Sequence, residues 1–148
     1  MSNPVPFATT LLVRDTCLCL HAQRAARALA RHFDEVLKPV GLTNQQFSLL
    51  MALNRPAPPP MGPVATLLAM DRTTLTAALK PLERRGLVRV LPSPADRRTR
   101  LLALTEAGGK MLAAAVPIWQ ENHAAIESRL AGFDPDGLRA ALAIVANL

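Results

Sequence analysis

Cationic side chains are concentrated in one stretch of the chain, residues 71–100. This stretch carries eight arginine or lysine residues and only three carboxylates, so five of the six net positive charges of the chain lie in it. Its cationic residues are Arg72, Lys80, Arg84, Arg85, Arg89, Arg97, Arg98 and Arg100. A basic surface confined to one region can displace the counterions of a phosphate backbone, whereas the same charges spread evenly would only favour solubility. The pattern therefore favours contact with a nucleic acid, and a solvated charged face is the alternative.

The first half of this stretch has the punctuation of a short helix from about Arg72 to Arg85. Asp71 can accept hydrogen bonds from the free N–H groups of the first turn, and Gly86 is a typical residue to end the helix. Pro81 falls inside the helix, where a proline removes one hydrogen bond and clashes with the preceding turn. The sequence therefore predicts a kink or a tightened turn at Pro81.

Helical periodicity divides this helix into a buried face and an exposed face. Leu75, Leu79 and Leu82 recur at helical spacing and are expected to face the core. The opposite face is narrow and polar, so it can enter a DNA major groove, where threonines touch base edges and longer cations reach phosphates. The predicted contacts are Arg72, Thr73, Thr74, Thr76, Lys80 and Arg84. Arg72, in the first turn, is the candidate for a bidentate contact to guanine.

The second half of the stretch predicts a β-hairpin. Residues 87–91 and 100–104 are short runs rich in branched side chains, and the segment PSPADRRT between them has the residues of a turn. Arg97 and Arg98 stand near the tip, and a thin ribbon can place an arginine in a minor groove. Asp96 beside them can orient a guanidinium.

The segment MDRTTLTAALKPLERRGLV, followed by the D-R-R of the hairpin and by LT, resembles the winged helix-turn-helix of the MarR family. The resemblance extends from about Asp15 to the C-terminus. It implies an obligate homodimer with a triangular, all-helical dimerisation region that binds a palindromic operator and usually represses nearby genes. In this family, ligands or oxidants typically release the protein from its double-stranded DNA.

The fold class that follows is mostly α-helical with a small β-hairpin wing. We predict a single MarR-like domain over residues 1–148. Within it, residues 43–104 form the DNA-binding winged helix-turn-helix, and residues 10–42 and 105–148 form dimerisation helices. Outside the basic helix, helices are predicted over about residues 10–38, 43–53, 64–69, 105–130 and 134–148, the fourth of these interrupted at Pro117. Residues 56–60 are a stiff, proline-rich connection.

Length and composition fit one domain with a real core, since the chain has 148 residues of which 50% are hydrophobic. No basic region precedes Arg14, which argues against a signal peptide, and no apolar run has membrane-spanning length. We therefore expect a cytoplasmic protein that contacts no membrane and keeps its two cysteines reduced. No cofactor is expected.

Cys19 is the first candidate for sensing a signal. Counted back from residues 41–43, it falls where the organic-hydroperoxide-responsive branch of the MarR family carries its reactive cysteine, in a similar L-C context. That branch uses tyrosines to hold the thiolate, and this chain contains no tyrosine. No lysine or arginine adjoins Cys19 in sequence either, so a structural cysteine is the alternative. Cys17 and Cys19 would lie on nearly opposite flanks of a helix, so a disulfide between them would require unwinding it.

Two further sensing hypotheses involve other side chains. Cys17 and His21 are four residues apart, face the same side of the predicted helix and are potential metal ligands. The pair needs a further ligand such as His123, and we predict no metal site. The remaining hypothesis is a small apolar or aromatic effector bound between the DNA-reading region and the dimerisation helices. Its candidate contacts, each of which can also be an ordinary core residue, are Phe47, Met51 and Trp119.

An enzyme is the rival class of protein. The chain has no phosphate-binding loop, dinucleotide fingerprint or nucleophile elbow, and its three histidines are isolated, so nothing assembles an acid, a base and a nucleophile. We therefore expect no catalytic residues; the one enzymatic alternative is a thiol peroxidase that uses Cys19. A protein-interaction module is the second rival, and it would show no salt-dependent binding to a DNA duplex.

Overall fold

Seven α-helices and one β-hairpin make up the protein in a computed structural model that describes residues 3–148. The first two residues of the predicted domain lie outside this range. The elements are α1 (Phe7–Thr16), α2 (Leu18–Leu37), α3 (Asn44–Leu53), α4 (Met61–Leu68), α5 (Arg72–Arg84), β1 (Val88–Pro92), β2 (Arg100–Leu104), α6 (Glu106–Ser128) and α7 (Pro135–Ala146). A turn of 3-10 helix, Lys38–Val40, follows α2. The mostly helical fold with a two-stranded wing confirms the predicted fold class.

The single helix predicted over residues 10–38 is wrong, because the chain forms two helices that meet at Cys17. The backbone of Cys17 is extended, with φ −70° and ψ 110°. Its N–H still closes the last turn of α1, while its sulfur accepts a hydrogen bond from the Leu20 N–H at 3.4 Å and so caps α2. Because Cys17 lies between two helices, the argument that one helix holds the two thiols apart no longer applies.

A capping box formed by Thr43 and Gln46 opens α3, which begins where the sequence predicts a helix. Thr43 accepts a hydrogen bond from the Gln46 N–H at 3.2 Å, and Gln46 Oε1 accepts one from the Thr43 N–H at 3.1 Å. Asp34 of α2 accepts bonds from the backbone N–H of Asn44 at 2.7 Å and from its side-chain amide at 2.8 Å. These bonds hold the pKa of Asp34 below its usual value. They also fasten the end of α2 to the start of α3.

Leucines from several helices and from the wing form one hydrophobic core. The basic helix, α5, contributes Leu75, Leu79 and Leu82, each no more than 2% exposed. Other fully buried side chains come from α2, α3, α4 and both strands, namely Leu37, Leu49, Leu50, Val64, Val88 and Leu102. Burying one leucine contributes about 1.5–3 kcal/mol to stability, so the leucine face of α5 fixes the rotation of that helix. The opposite, polar face therefore points to solvent, as predicted.

Two prolines lie inside helices without ending them. The interruption predicted at Pro117 is wrong, since α6 is continuous through it, and α5 likewise continues through Pro81. A helical proline deprives the carbonyl four residues earlier of its hydrogen-bond partner. Here those carbonyls belong to Ala77 and Ala113, which are both exposed, so water can satisfy the freed oxygens.

The wing pairs β1 with β2 in antiparallel register, from Val88 opposite Leu104 to Pro92 opposite Arg100. The proline-rich segment does more than connect α3 to α4. The Leu102 N–H donates to the Pro59 carbonyl at 2.8 Å. The next residue, Pro60, forms an isolated antiparallel β-bridge with Leu101. This contact covers the free edge of β2, which would otherwise expose unpaired hydrogen-bonding groups.

The helices near the two ends of the described chain are the least covered. None of the residues of α1 or α7 is buried. Large apolar side chains are exposed on both, for example Phe7 (72%) and Ile144 (73%). No helix within residues 3–148 is both long enough and apolar enough to cross a membrane. The apolar surfaces of α1 and α7 therefore have no cover from the described part of the chain.

The junction between the wing and α6 requires a glycine. Thr105 joins the two elements, since its hydroxyl donates to the Gly86 carbonyl at 2.6 Å and accepts from the Gly108 N–H at 3.0 Å. A Cβ at Gly108 would lie 2.2 Å from the carbonyl oxygen of Leu87. The next residue, Gly109, has nothing within 4 Å of such a Cβ. Substitutions at the two adjacent glycines can therefore be compared directly, because only Gly108 lies against the wing.

We expect Gly108→Ala to lower the free energy of unfolding by about 1–3 kcal/mol, because the added methyl group forces the wing away from α6. Gly109→Ala should leave stability unchanged or raise it by about 0.5–1 kcal/mol, since alanine is the better helix former. Urea denaturation followed by circular dichroism measures both. Equal effects of the two substitutions would contradict the close contact at Gly108.

Candidate nucleic-acid interface

The basic helix begins at a well-formed cap. Asp71 Oδ1 accepts a hydrogen bond from the Thr74 N–H at 2.7 Å, which confirms the predicted N-cap. This bond lowers the pKa of Asp71 below its usual value. The six residues predicted to contact DNA from this helix all lie on its exposed side, namely Arg72, Thr73, Thr74, Thr76, Lys80 and Arg84. Their contacts with DNA remain a prediction.

Arg72 lies at the junction of α4 and α5. One of its terminal nitrogens, Nη2, is 3.8 Å from the point that a Cβ on Gly62 would occupy. A Cβ at that distance would be in ordinary van der Waals contact, so Gly62 and the guanidinium of Arg72 are neighbours beside the first turn of α4. Sequence reasoning did not single out Gly62, because only the packing of α4 against α5 brings the two residues together.

The tip of the wing is held by Asp96, but not in the way predicted. Asp96 Oδ1 accepts a hydrogen bond from the backbone N–H of Arg98 at 3.0 Å, and its carbonyl accepts one from the Thr99 N–H at 3.0 Å. The aspartate therefore shapes the turn and makes no bond to a guanidinium. The side chains of Arg97 and Arg98 are exposed at this tip, as predicted.

The cations of α5 and the wing carry unneutralised charge. Across residues 3–148, none of the salt bridges involves an arginine or lysine between positions 71 and 100. Arg85 differs from the rest because its Nη2 donates to the Met111 sulfur at 3.5 Å and so is directed towards α6. The other cations are free to meet phosphate groups from outside the chain.

The three candidate effector contacts line one cavity. Phe47, Met51 and Trp119 border a space of about 630 Å³ between α3 and α6, and the Phe47 and Trp119 rings stack with centroids 6.3 Å apart. Arg55, which the sequence did not single out, also lines this cavity. Its Nε donates to the Ala52 carbonyl at 3.1 Å, which fixes the side chain and leaves the terminal nitrogens available. The cavity therefore combines aromatic walls with one cation.

Trp119 also stacks on a second ring, that of His123. The His123 ring lies 4.6 Å from the Trp119 ring at an interplanar angle of 19°. His123 Nε2 is 3.7 Å from Glu127 Oε1, and Glu127 also pairs with Arg139 of α7. Within the described chain, no three histidine, cysteine or acidic residues gather in a way that could hold a metal ion. The structure therefore does not join His123 to the cysteine and histidine of the metal hypothesis.

The two cysteines have different surroundings. Cys17 is half-buried, while Cys19 is exposed and its sulfur accepts a hydrogen bond from Gln23 Nε2 at 3.1 Å. Gln23 Oε1 in turn accepts from Arg27 Nη2 at 3.0 Å. His21, the partner of Cys17 in the metal hypothesis, bonds through Nδ1 to the Cys17 carbonyl oxygen at 2.8 Å. Sequence reasoning missed Gln23, although its spacing of four from Cys19 on a helix was visible.

Comparison with known proteins places this arrangement in a family. The MarR family model matches residues 42–99, which include α3, α4, α5 and β1. The transcriptional activatory protein BadR of Rhodopseudomonas palustris is 35% identical over 88 residues, which are 57% of this chain and 50% of BadR. The chain therefore spans about half the length of this curated relative.

Solved structures are similar over most of the chain. The transcriptional regulator MosR of M. tuberculosis, in complex with DNA, is 36% identical with a TM-score of 0.79, over 89% of this chain and 95% of MosR. The transcriptional repressor CouR, bound to p-coumaroyl-CoA, is 32% identical with a TM-score of 0.74, over 87% of this chain and 91% of CouR. The chain belongs to the MarR family, and its fold is the winged helix-turn-helix of that family.

The positions of Arg72 and Lys80 on α5 predict two kinds of DNA contact. Arg72→Ala is expected to cost about 1–3 kcal/mol of binding free energy on the cognate operator and much less on random DNA, because a first-turn arginine can pair with guanine. Lys80→Ala should weaken binding to every duplex and flatten its salt dependence, since Lys80 is expected to reach a phosphate on the groove wall. Fluorescence anisotropy titrations at several salt concentrations measure both. Equal losses on cognate and random DNA for both variants would refute the assignment.

Proposed function

We propose that the protein is a DNA-binding transcriptional regulator, a repressor that binds a palindromic operator as a homodimer and is released by a small effector. The observation that carries the proposal is the exposed, unpaired basic surface of α5 and the wing, whose cations have no carboxylate partner within residues 3–148. The likeness to MosR in complex with DNA supports it. No cofactor or catalytic step is part of this proposal.

We assign different DNA contacts to α5 and to the wing according to the side chains that each exposes. The threonines and small residues on the outer face of α5 allow a close approach to base edges, while Lys80 and Arg84 extend from the same helix towards the phosphates. Arg97 and Arg98 extend from the wing and can reach an adjacent minor groove. Such a unit reads one half-site, and two units related by two-fold symmetry read an inverted repeat.

The proposed homodimer rests on the uncovered apolar surface of α1 and α7. Leu12, Val13, Ile144 and Val145 are between 45% and 73% exposed, and no residue of either helix is buried. Apolar surface of this extent rarely stays exposed in a monomer, and a second copy can cover it through a self-complementary two-fold contact. We therefore assign residues 10–42 and 105–148 to dimerisation and residues 43–104 to DNA binding.

The proposed effector site is the cavity lined by Phe47, Met51 and Trp119. Its position between α3, a core helix of the DNA-binding region, and α6, a proposed dimerisation helix, means that a ligand there contacts both parts. The fixed guanidinium of Arg55 favours an aromatic ligand that also carries an acidic group. CouR, a repressor bound to p-coumaroyl-CoA, shows a relative with an aromatic ligand.

Footprinting tests the proposed operator and assembly together. The protein is expected to protect an inverted repeat whose half-site centres are about one helical turn apart, because two equivalent helices must enter successive major grooves on one side of the duplex. Sedimentation of the complex should give two chains per duplex. Protection of a single asymmetric half-site by one chain would contradict the proposal.

A second candidate is a thiol-based hydroperoxide sensor, favoured by the surroundings of Cys19. The sulfur is exposed to solvent and accepts a hydrogen bond from Gln23, which can stabilise a thiolate in place of the missing tyrosines. In such a sensor the thiolate attacks the hydroperoxide, forming a sulfenic acid and releasing an alcohol. Repeated turnover of hydroperoxide would instead identify a thiol peroxidase.

If Cys19 is the sensor, cumene hydroperoxide is expected to release the wild-type protein from DNA, and dithiothreitol should restore binding. Cys19→Ser should stay bound, while the matched variant Cys17→Ser should still respond. Mass spectrometry checks the oxidation state of each thiol. An unmodified Cys19 at peroxide concentrations that fully oxidise a free thiol would make this cysteine structural.

A further inference from the structure

Cys17 and Cys19 flank Leu18 at the break between α1 and α2. Cys17 belongs to neither helix, since its backbone is extended, and Cys19 is the second residue of α2. The N–H groups of Leu18 and Cys19 lie in the first turn of α2, where a helix offers them no acceptor. The backbone between the two sulfur atoms is therefore held by fewer hydrogen bonds than the interior of a helix.

The Cα atoms of the two cysteines are within reach of a disulfide. Residues two apart are separated by about 5.5 Å in a helical turn and by at most about 7 Å in an extended chain, while disulfides usually join Cα atoms about 4.4–6.8 Å apart. Inside a helix, the bond is prevented by the direction of the Cβ atoms, because side chains two positions apart point to different flanks. At Cys17, rotation of one extended residue changes that direction without disturbing the interior of either helix.

The hydrogen bonds that hold the two sulfur atoms apart are local. The Cys17 sulfur accepts from the Leu20 N–H at 3.4 Å, and the Cys19 sulfur accepts from Gln23 Nε2 at 3.1 Å. The Cys17 carbonyl accepts from the His21 N–H at 3.1 Å and lies 2.8 Å from His21 Nδ1. None of these residues belongs to the hydrophobic core, so breaking the bonds costs no core contact. All of the bonds lie within one chain and do not depend on whether a second copy covers α1 and α2.

We propose that Cys17 and Cys19 form an intrachain disulfide on oxidation, and that the bond unwinds the first turn of α2 and redirects α1. An organic hydroperoxide supplies the oxidising equivalents. The Cys19 thiolate attacks a peroxide oxygen, which forms a sulfenic acid and releases an alcohol. The Cys17 thiolate then attacks the Cys19 sulfur, the S–O bond breaks and water leaves. The two thiols together give up two electrons and two protons, which convert the hydroperoxide into one alcohol and one water.

This reaction gives Cys17 a role that the hydroperoxide-sensor candidate does not include. There, Cys19 reacts alone. Here, Cys17 is the resolving thiol that closes the disulfide and protects Cys19 from further oxidation. The expected effect on DNA rests on the proposed function, because α1 carries part of the proposed dimerisation surface. Redirecting α1 therefore changes the spacing of the two α5 helices that read the operator.

Peptide mapping of the full chain tests the bond directly. The tryptic peptide from Asp15 to Arg24 contains both cysteines of the chain. After treatment with cumene hydroperoxide and alkylation of free thiols, this peptide is expected unalkylated and about 2 Da lighter than its reduced form, and dithiothreitol should restore both alkylation sites. Two copies of the peptide joined by disulfides, or an oxidised Cys19 beside an alkylated Cys17, would overturn the proposal. So would unmodified thiols at peroxide concentrations that fully oxidise a free thiol.

Hydrogen exchange followed by NMR tests the unwinding. When the disulfide forms, the Leu20 N–H loses the Cys17 sulfur and the His21 N–H loses the Cys17 carbonyl, so both amides are expected to exchange at least about tenfold faster. The amide of Asn44, which Asp34 holds at the far end of α2, is the internal control and should exchange at an unchanged rate. Unchanged exchange at Leu20 and His21 in protein that carries the disulfide would contradict the proposal.

The variant Cys17→Ser tests the resolving role of Cys17. It removes the thiol and keeps an oxygen that can cap α2, so its reduced form should bind DNA like the wild type. After prolonged peroxide treatment, dithiothreitol is expected to restore the DNA affinity of the wild type. Cys17→Ser should stay at least about tenfold weaker, because its Cys19 passes on to a sulfinic acid. Equal recovery of both proteins would sink this role of Cys17.

Failure of the disulfide and failure of the proposed function are distinguishable. Peptide mapping and hydrogen exchange use free protein, so a negative result in either leaves the proposed DNA binding untouched. Reduced wild-type protein that binds no duplex would contradict the proposed function and leave the disulfide testable.

Discussion

The burial of the leucine face of α5 is the constraint on which the orientation of the basic surface depends. Leu75, Leu79 and Leu82 enter the same core as the leucines of α3 and the wing, and this fixes the rotation of the helix about its axis. With that rotation fixed, every polar position of α5 faces solvent. The wing is held to the same core through Val88 and Leu102, so helix and wing present their cations from one rigid unit.

Two kinds of surface in the described chain lack a partner. The first is cationic and lies on α5 and on the wing, where the described chain supplies no counter-charge. The second is apolar and lies on α1 and α7, where it supplies no cover. Between them, the stacked rings of Phe47, Trp119 and His123 connect the core helix α3 to α6. A molecule that binds at these rings therefore contacts both α3 and α6.

Much of the fold could be predicted from the sequence because its signals are local. The cap at Asp71, the capping box at Thr43 and the two strands of the wing each depend on neighbours a few residues away. The errors involve groups whose effect depends on their surroundings. A proline inside a helix is tolerated where the freed carbonyl belongs to an exposed residue, as at Pro117. Asp96 accepts a hydrogen bond from the backbone N–H of Arg98 instead of orienting a guanidinium.

By itself, the sequence determined the charge segregation, the buried face of α5, the wing and the family resemblance. All of these follow from residue type and from spacing along one element. Only the tertiary structure decided that α2 breaks from α1 at Cys17 and that Phe47 and Trp119 share a cavity with Arg55. These features join residues far apart in the chain or depend on competition between local and distant hydrogen bonds. The spacing of residues along the sequence does not determine such packing.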